Sequence, residues 1–219
     1  NGTPSVQRFS PFNPTASYST ATIGGSGYFD GSSYLTSPAT SGNLGSNDFT
    51  IECWVYPTSS LTGSVLSQYN YATSNRAWQI WVKSDGGIEG YVSSNGSNYT
   101  YYSGGSGIKL NQWNHLALTR TGGTIYGFIN GSQVLSFSFS TLYDSSTEPV
   151  AIGNRTDYTQ YFTGYISNVR ILNGTCLYSS STYTVPTTPL TAVTNTQLLL
   201  NYTNAGIPDS AMMNDLETV

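Results

Sequence analysis

The chain has 219 residues and a net charge of −4, and it is 8% charged, 37% hydrophobic and 14% aromatic. This hydrophobic and aromatic content predicts a packed fold rather than disorder, and the length fits a single large β domain. Seven scattered basic residues are too few for a groove that follows phosphates, and no run of about 18 apolar residues occurs, so we exclude nucleic acid as a partner and a membrane-spanning helix.

The N-terminal segment, residues 1–27, is rich in Ser, Thr, Pro and Gly and predicts an extended connector. Pro11 and Pro14 exclude a helix there, because proline has no N–H to donate and clashes with the preceding turn. The chain begins with Asn rather than Met, so we expect it to be a segment of a longer protein.

The run FTIECWVYP, residues 49–57, predicts a strand because its side chains alternate between two faces. Cys53 lies on the more apolar face, whereas Glu52 and Trp54 lie on the other. Pro57 ends the strand because it cannot donate to the hydrogen-bond ladder.

The run RAWQIWVKSDGGIEGYVSS, residues 76–94, predicts a hairpin. Trp78 faces one way with the apolar set, and Trp81 faces the other way. Residues 85–87, Asp-Gly-Gly, supply the turn. Tyr91 on the return strand also lies opposite the apolar set.

The run NQWNHLALTRTGGTIYGFING, residues 111–131, predicts two further strands and two turns. Gly122 and Gly123 supply the positive φ of the first turn, and Asn130-Gly131 is a hairpin dipeptide. His115, the only histidine of the chain, lies on the first of these strands.

Three more apolar runs predict strands at residues 150–153, 162–172 and 198–203. Roughly a dozen strands at a spacing of about 8–12 residues are typical of an antiparallel sandwich or barrel. Residues 183–195, which are rich in Pro and Thr, predict an extended loop that wraps around the body.

Four segments together resemble the laminin G-like, concanavalin A-like jelly-roll superfamily. They are YFDGSSYL (28–35), DFTIECWVYP (48–57), WNHLALTRTGGTIYGFINGSQV (113–134) and FTGYISNVRILNGTCLYSSSTYTVPTTPLT (162–191). The resemblance covers about residues 28–202 and implies an all-β, two-sheet antiparallel jelly-roll sandwich. We therefore divide the chain into a connector (1–27), a jelly roll (28–204) and a C-terminal tail (205–219) that packs on the domain or leads out of it.

A closer resemblance is to laminin G-like modules of bacteriophage virion proteins, notably of phages that infect marine cyanobacteria. It is carried by GTCLYSSSTYTVPTTPLTA (174–192) and LLLNYTNAGIPDSAMMNDLETV (198–219). The members of this wider family mostly bind glycans or proteins, or build particles.

Motifs for enzymatic chemistry are lacking in the sequence. No GxSxG elbow accompanies His115, so we expect this residue to be structural and hydrogen-bonded within a sheet. The glucanases of this fold carry paired carboxylates on one strand as ExDxxE, and the chain has no such motif. We expect Glu52 to form an ion pair on the sheet, with Arg120 or with Arg170.

Calcium-binding members of the laminin G-like family hold the ion at the rim of the sandwich with two Asp side chains and backbone carbonyls. The position that corresponds to the first of these Asp residues falls in Ser-Ser-Asn at residues 93–95, which contains no acidic residue. The position that corresponds to the second is Asp144. We therefore consider a metal site at Asp144, and a second one made by Asp30 with Asp209. The alternative for Asp30 is a turn, since Gly31 follows it.

The two cysteines, Cys53 and Cys176, have no metal-binding spacing. The first interpretation is two buried thiols that act as small hydrophobic residues. The alternative is one long-range disulfide, which requires an oxidising compartment.

The aromatic content is the strongest functional signal, because sugar rings stack their C–H faces on aromatic planes. The candidates lie on two predicted loops and on the strand face of Trp81, with Tyr91 and residues 99–102 nearby. The predicted ligand-binding residues are Tyr69, Tyr71, Trp81, Arg155, Asp157, Tyr158 and Tyr161. The same rings suit contacts with protein, or form plain surface.

The leading hypothesis is a non-enzymatic, carbohydrate-binding adhesion module exposed on a virion, on its tail, fibre or capsid, with host-surface polysaccharide and other virion subunits as partners. Oligomerisation would make binding multivalent and raise avidity by about 10²–10⁴. One alternative is a purely structural decoration or assembly module that makes protein–protein contacts. A second is a calcium-dependent lectin of another source; the first two need no cofactor.

Overall fold

Two antiparallel sheets face each other in the computed structural model, which describes residues 4–7, 9–12, 23–157, 160–202 and 217–218. Nearly all of the regular structure in these ranges is β-strand. A short 3-10 helix, η1, lies at Ala39–Gly42. This architecture confirms the predicted all-β jelly-roll sandwich.

Sheet A contains eight strands. Their order across the sheet is β1 (Ser5–Gln7), β2 (Ser26–Asp30), β13 (Thr163–Asn173), β4 (Phe49–Pro57), β9 (Asn114–Thr121), β10 (Thr124–Ile129) and β11 (Ser132–Ser138), with β14 (Thr196–Leu200) also paired to β13. The central strands β13, β4 and β9 are therefore far apart in sequence and adjacent in space.

Sheet B contains seven strands. Their order is β15 (Glu217–Thr218), β3 (Leu35–Ser37), β12 (Val150–Ile152), β5 (Gly63–Asn70), β6 (Asn75–Val82), β7 (Ile88–Gly96) and β8 (Thr100–Gly104). Strands β5 to β8 form a continuous meander, so side chains from neighbouring hairpins share one outer face.

The core lies between the two sheets and follows the predicted alternation. In β4, Ile51 and Cys53 are fully buried in the core, whereas Glu52 lies on the outer face of sheet A. In β6, Trp78 and Ile80 join the core. Since neighbouring side chains on a strand point to opposite faces, Gln79 and Trp81 lie on the outer face of sheet B.

The predicted hairpin turns are confirmed. In the turn between β6 and β7, Val82 is paired with Ile88, and Gly86 between them has a φ of 81°. Strands β10 and β11 are joined by Asn130 and Gly131, which both adopt positive φ, at 51° and 81°. Asparagine and glycine reach this left-handed region at low cost, which explains their place in the turn.

Parts of both terminal segments join the sheets. In the segment predicted as a connector, β1 pairs with β2 through Ser5 and Tyr28, and the ring of Phe9 packs 4.8 Å from that of Tyr56. In the C-terminal tail, β15 pairs with β3 through Glu217 and Thr36.

Both cysteines are free, which supports their interpretation as thiols and contradicts the alternative of a disulfide between Cys53 and Cys176. Cys53 points into the core, where burial raises the pKa of its thiol. Cys176 is half-buried in the loop after β13, whose neighbouring Leu177 donates its N–H to the Thr50 hydroxyl. Since Thr50 lies on the outer face of β4, sheet A separates the two sulfur atoms.

Candidate functional site

An open groove of about 380 Å³ lies on the outer face of sheet B. We call it the aromatic groove, because four tyrosines and a tryptophan line it. Its lining residues are Tyr69, Tyr71, Trp81, Tyr91, Tyr99, Arg155 and Gln160.

The strand register places the rings of the aromatic groove. Trp81 lies on β6 two residues after Gln79, and Gln79 is paired with Tyr91 on β7. Tyr91 is paired in turn with Tyr101 on β8, and their rings stack at 5.3 Å. Residues two apart on a strand, and residues directly opposite on neighbouring strands, share one face, so these side chains form one continuous patch.

Tyr69 supplies the innermost ring of the groove. Only 1% of Tyr69 is exposed, and its ring meets those of Tyr91 and Tyr99 edge-on at 6.0 Å each. Burial raises the pKa of Tyr69 to about 12. This phenol therefore remains neutral at physiological pH.

An ion pair forms one side of the groove. Arg155 Nε lies 2.8 Å from Asp157 Oδ1, and the Arg155 guanidinium carbon lies 5.1 Å from the centre of the Tyr69 ring. The other oxygen of Asp157 accepts the N–H groups of Tyr71 and Ala72. Asp157 thus ties the loop that carries Tyr71 to the loop that carries Arg155.

Arg76 supports the rim of the groove. Its guanidinium carbon lies 4.1 Å from the centre of the Tyr71 ring and 5.7 Å from that of Tyr99, and its Nη2 donates to the Tyr71 carbonyl. Such cation–π contacts fix the orientation of the rings. Arg76 ends one of the two predicted aromatic loops, but it was not among the predicted ligand-binding residues.

The structure brings four predicted ligand-binding residues to the groove: Tyr69, Tyr71, Trp81 and Arg155. Asp157 contacts Arg155 and supports it. Tyr161 lies elsewhere, bridged to Ser64 and with its ring 6.3 Å from that of Tyr34. Tyr158 lies outside the described residues. Gln160 was not predicted, because nothing in a loop sequence shows which side chains turn toward a neighbouring sheet.

Asp144 and Asp30, which were considered for calcium, both accept backbone N–H groups; the bond of Asp144 joins two segments distant in sequence, and that of Asp30 closes a turn. Asp144 Oδ1 accepts the N–H of Gly45 at 2.9 Å. Asp30 Oδ1 accepts the N–H of Ser32 at 2.8 Å, a bond that lowers the pKa of Asp30, and Asp209 lies outside the described residues. No group of three or more His, Cys, Asp and Glu side chains suited to a metal occurs in the described part of the chain. Calcium binding at Asp144 stays a prediction.

A second polar cluster lies on the outer face of sheet A, beneath the loop that follows β13. We call it the buried cluster; it consists of Glu52, His115, Arg170, Tyr178 and Tyr183. Glu52 Oε1 accepts Arg170 Nε at 2.9 Å and Arg170 Nη2 at 2.5 Å, which confirms the predicted pairing with Arg170. Arg120 takes no part and donates to the carbonyls of Asn47 and Phe139.

His115 links Glu52 to the covering loop. Its Nε2 lies 3.2 Å from Glu52 Oε2, and its Nδ1 lies 2.7 Å from the Tyr183 hydroxyl. The Tyr178 hydroxyl donates to the same Glu52 oxygen, and the two tyrosine rings stack at 3.7 Å. His115 and Glu52 are both 0% exposed. The cluster therefore fastens the loop to the sheet, in line with the structural role expected of His115, although its contact with Glu52 was not predicted.

The buried cluster predicts a specific loss of stability in acid. Burial alone would raise the pKa of Glu52, but the hydrogen bond from His115 and the charge of Arg170 outweigh it, so this pKa lies below its ordinary value of 4.5. A carboxylate with a lowered folded pKa stabilises the fold above its unfolded pKa, and that contribution is lost as the pH falls through the folded value. We expect the free energy of unfolding to fall below pH 4.5, and to fall less steeply in Glu52→Gln.

Urea unfolding of the wild type and of Glu52→Gln between about pH 3 and pH 7 measures this difference. Equal acid slopes in the two proteins would contradict a role for Glu52.

Comparisons with known proteins agree with this architecture. A family model described as the concanavalin A-like lectin/glucanases superfamily matches residues 29–177. No curated protein matches the sequence. Among the described residues, no helix is long and apolar enough to cross a membrane.

Three solved structures illustrate the similarity. A candidate carbohydrate-binding protein from Bacteroides ovatus has a TM-score of 0.67 at 16% identity, over 88% of this chain and 57% of that protein. Domain 4 of the extracellular arabinanase AbnA from Geobacillus stearothermophilus, in complex with arabinotriose, has a TM-score of 0.54 at 22% identity, over 78% and 82%. The CBM40 module of a Ruminococcus gnavus sialidase, bound to α2,3-sialyllactose, has a TM-score of 0.53 at 18% identity, over 64% and 82%.

At these identities the similarity establishes the fold alone. The chain spans 57% of the length of the Bacteroides protein.

Proposed function

Because the chain belongs to the laminin G-like branch of the concanavalin A-like lectin/glucanase superfamily, we propose that it is a non-enzymatic carbohydrate-binding module that holds a glycan in the aromatic groove. The observation that carries this proposal is the set of aromatic rings on the outer face of sheet B. The modules with bound arabinotriose and sialyllactose support it as relatives in fold.

The chemistry of the aromatic groove suits a sugar. Trp81 and Tyr91 present ring surfaces on which the C–H face of a sugar can stack, with Tyr99 beside them. Arg155 and Gln160 supply hydrogen-bond donors at the edge of these rings. A volume of about 380 Å³ is at the small end of the range for ligand sites, which suits one or two sugar units of a longer chain.

We further propose that the module belongs to a bacteriophage virion protein and adheres to polysaccharide on the host surface. The support for this step is the sequence resemblance of residues 174–192 and 198–219 to modules of such proteins. An open groove implies weak binding at each site, and repeated copies on one particle would compensate, since avidity exceeds single-site affinity by about 10²–10⁴.

Removal of one ring from the floor of the groove tests the proposal. We expect Trp81→Ala and Tyr91→Ala each to weaken glycan binding at least about tenfold, which corresponds to ~1.4 kcal/mol, because each deletes a stacking surface. Binding to a glycan array, followed by titration calorimetry with the best oligosaccharide, measures the effect.

Tyr126→Ala is the matched control. Tyr126 is also a half-buried strand tyrosine, but it lies on β10 in sheet A. We expect its affinity to remain that of the wild type. Failure of the wild type to bind any glycan at millimolar concentration, together with tight docking to a virion subunit, would favour the assembly module instead.

A further inference from the structure

Exposed aromatic rings are concentrated beside the aromatic groove. The described part of the chain has four exposed aromatic side chains: Phe9, Tyr71, Tyr99 and Tyr101. Phe9 packs against Tyr56 of sheet A, whereas the three tyrosines lie together at sheet B and are 53%, 42% and 54% exposed. Exposed rings that are scattered singly need no explanation, but a contiguous apolar patch marks a binding surface.

Ring contacts join these tyrosines into one row. We call it the tyrosine row; it consists of Tyr71, Tyr99, Tyr91 and Tyr101, in that order. From one tyrosine to the next, the ring centres are 6.2, 5.9 and 5.3 Å apart. The row runs from the loop between β5 and β6 to β8, the edge strand of sheet B among the described strands. Four adjoining rings offer more surface than a single sugar unit can cover.

The tyrosine row extends beyond the aromatic groove. Tyr71, Tyr91 and Tyr99 line the groove, but Tyr101 lies outside its lining. One face of the Tyr101 ring is stacked on Tyr91 with the two planes 27° apart, and more than half of the Tyr101 side chain remains accessible. A sugar chain that leaves the groove at Tyr91 therefore meets the accessible surface of Tyr101 next.

Neighbouring groups hold the rings of the row in place. The guanidinium of Arg76 lies against the rings of Tyr71 and Tyr99, and the Tyr91 hydroxyl donates to Glu89 Oε2 at 2.8 Å. Burial and this hydrogen bond raise the pKa of Tyr91, so its phenol stays neutral. Rings that are already oriented lose little conformational freedom when a ligand binds, and more of the contact free energy then appears as affinity.

The surface that carries the row favours a sugar as its occupant. Residues 90–108, which include three of the four rings, contain no charged residue. Recognition there depends on stacking and on hydrogen bonds rather than on ion pairs. Sugar units supply C–H faces for the rings and hydroxyl groups for the phenols. Because the row is also continuous with the groove, a polysaccharide fits it better than a charged peptide does.

We propose that the tyrosine row is a second subsite of the aromatic groove, and that the module binds the interior of an extended polysaccharide chain rather than its terminal unit. This inference rests on the proposed function and adds the class of ligand to it. About one or two units lie in the groove against Trp81, and the following units pass Tyr91 and stack on Tyr101. A closed pocket would enclose the end of a chain, whereas an open groove lets the chain continue past it.

The second subsite predicts that affinity depends on the length of the sugar chain. We expect a linear hexasaccharide to bind at least about tenfold more tightly than the disaccharide of the same polysaccharide, because only the longer fragment reaches Tyr101. Both fragments are prepared from the polysaccharide that binds best on the glycan array, and titration calorimetry measures their affinities.

Tyr101→Ala tests the subsite directly. We expect this variant to bind the hexasaccharide about fivefold to tenfold more weakly than the wild type and to bind the disaccharide equally well. Tyr101→Phe retains the ring and should restore the affinity for the hexasaccharide. Since more than half of Tyr101 is exposed, the Tm of both variants should stay within about 2 °C of the wild type.

Tyr126→Ala is again the matched control, since it removes a strand tyrosine from sheet A. It should preserve the difference in affinity between the two fragments. Trp81→Ala should weaken binding of both fragments, because it removes a ring from the groove itself.

The outcomes separate this inference from the proposed function. Equal affinity of the wild type for both fragments, or equal losses for both in Tyr101→Ala, would overturn the second subsite and leave the groove as a glycan site. If Trp81→Ala binds both fragments as the wild type does, the aromatic groove is not the site and the proposed function fails. Self-association of the wild type that Tyr101→Ala abolishes, with glycan binding unchanged, would make the row a protein contact and would also overturn the inference.

Discussion

Arg170→Met is expected to lower the free energy of unfolding at pH 7 by about 3–5 kcal/mol, because it leaves the Glu52 carboxylate buried without its countercharge. Arg170 donates twice to Glu52 Oε1, and its Nη1 donates to the Thr191 carbonyl in the covering loop. Methionine fills a similar volume but provides neither the charge nor the donors. The loss should therefore combine an unpaired charge with a loosened loop.

Lys83→Met is the control for this prediction, since it breaks an ion pair that faces water. Lys83 Nζ lies 2.8 Å from Asp85 Oδ2 at the turn between β6 and β7. Exposed pairs contribute little because water screens them, so we expect no resolvable change in stability. Urea unfolding of both variants measures the contrast. A loss in Arg170→Met no larger than in Lys83→Met would mean that the buried pair does not stabilise the fold.

Much of the fold is predictable because strand alternation is a local property. The residues of β4 and β6 show their two faces directly in the sequence, and Asp-Gly-Gly and Asn-Gly mark the turns. Each of these signals involves only neighbouring residues. The pairing of β13 with β2 and β4 is not local, and only the family resemblance indicated that these distant segments belong to one jelly roll.

The groove residues that lie on strands could be predicted from the sequence. Trp81 and Tyr91 follow from the period-two pattern, because a strand residue opposite the core must face outward. Tyr161 was assigned to the same surface on composition alone, and it contacts Ser64 and Tyr34 instead.

The buried cluster shows the same limit. Glu52 and His115 are 63 residues apart and meet because β4 pairs with β9, where Trp54 is directly opposite His115. A search for acids near His115 in the sequence misses this contact, since the nearest acidic residues along the chain are Glu89 and Asp144. Strand order, rather than distance along the chain, determines which ionisable groups interact.

Trp78→Ala is expected to cost about 3–5 kcal/mol of unfolding free energy, because it removes a fully buried ring and leaves a cavity in the core. The Trp78 Nε1 bond to the Gly42 carbonyl, 2.9 Å long, is lost as well. Trp81 lies three residues further on β6 and on the opposite face, so Trp81→Ala leaves the core intact. We expect a smaller loss of stability from Trp81→Ala than from Trp78→Ala.

Binding should show the reverse order. At a temperature where Trp78→Ala remains folded, we expect its glycan affinity to stay within about twofold of the wild type, whereas Trp81→Ala binds at least about tenfold more weakly. Urea unfolding and calorimetric titration on the same two samples provide both values. Loss of binding in Trp78→Ala while its circular dichroism spectrum is native would mean that the groove depends on the core beneath it, because the two faces of β6 would then be coupled rather than independent.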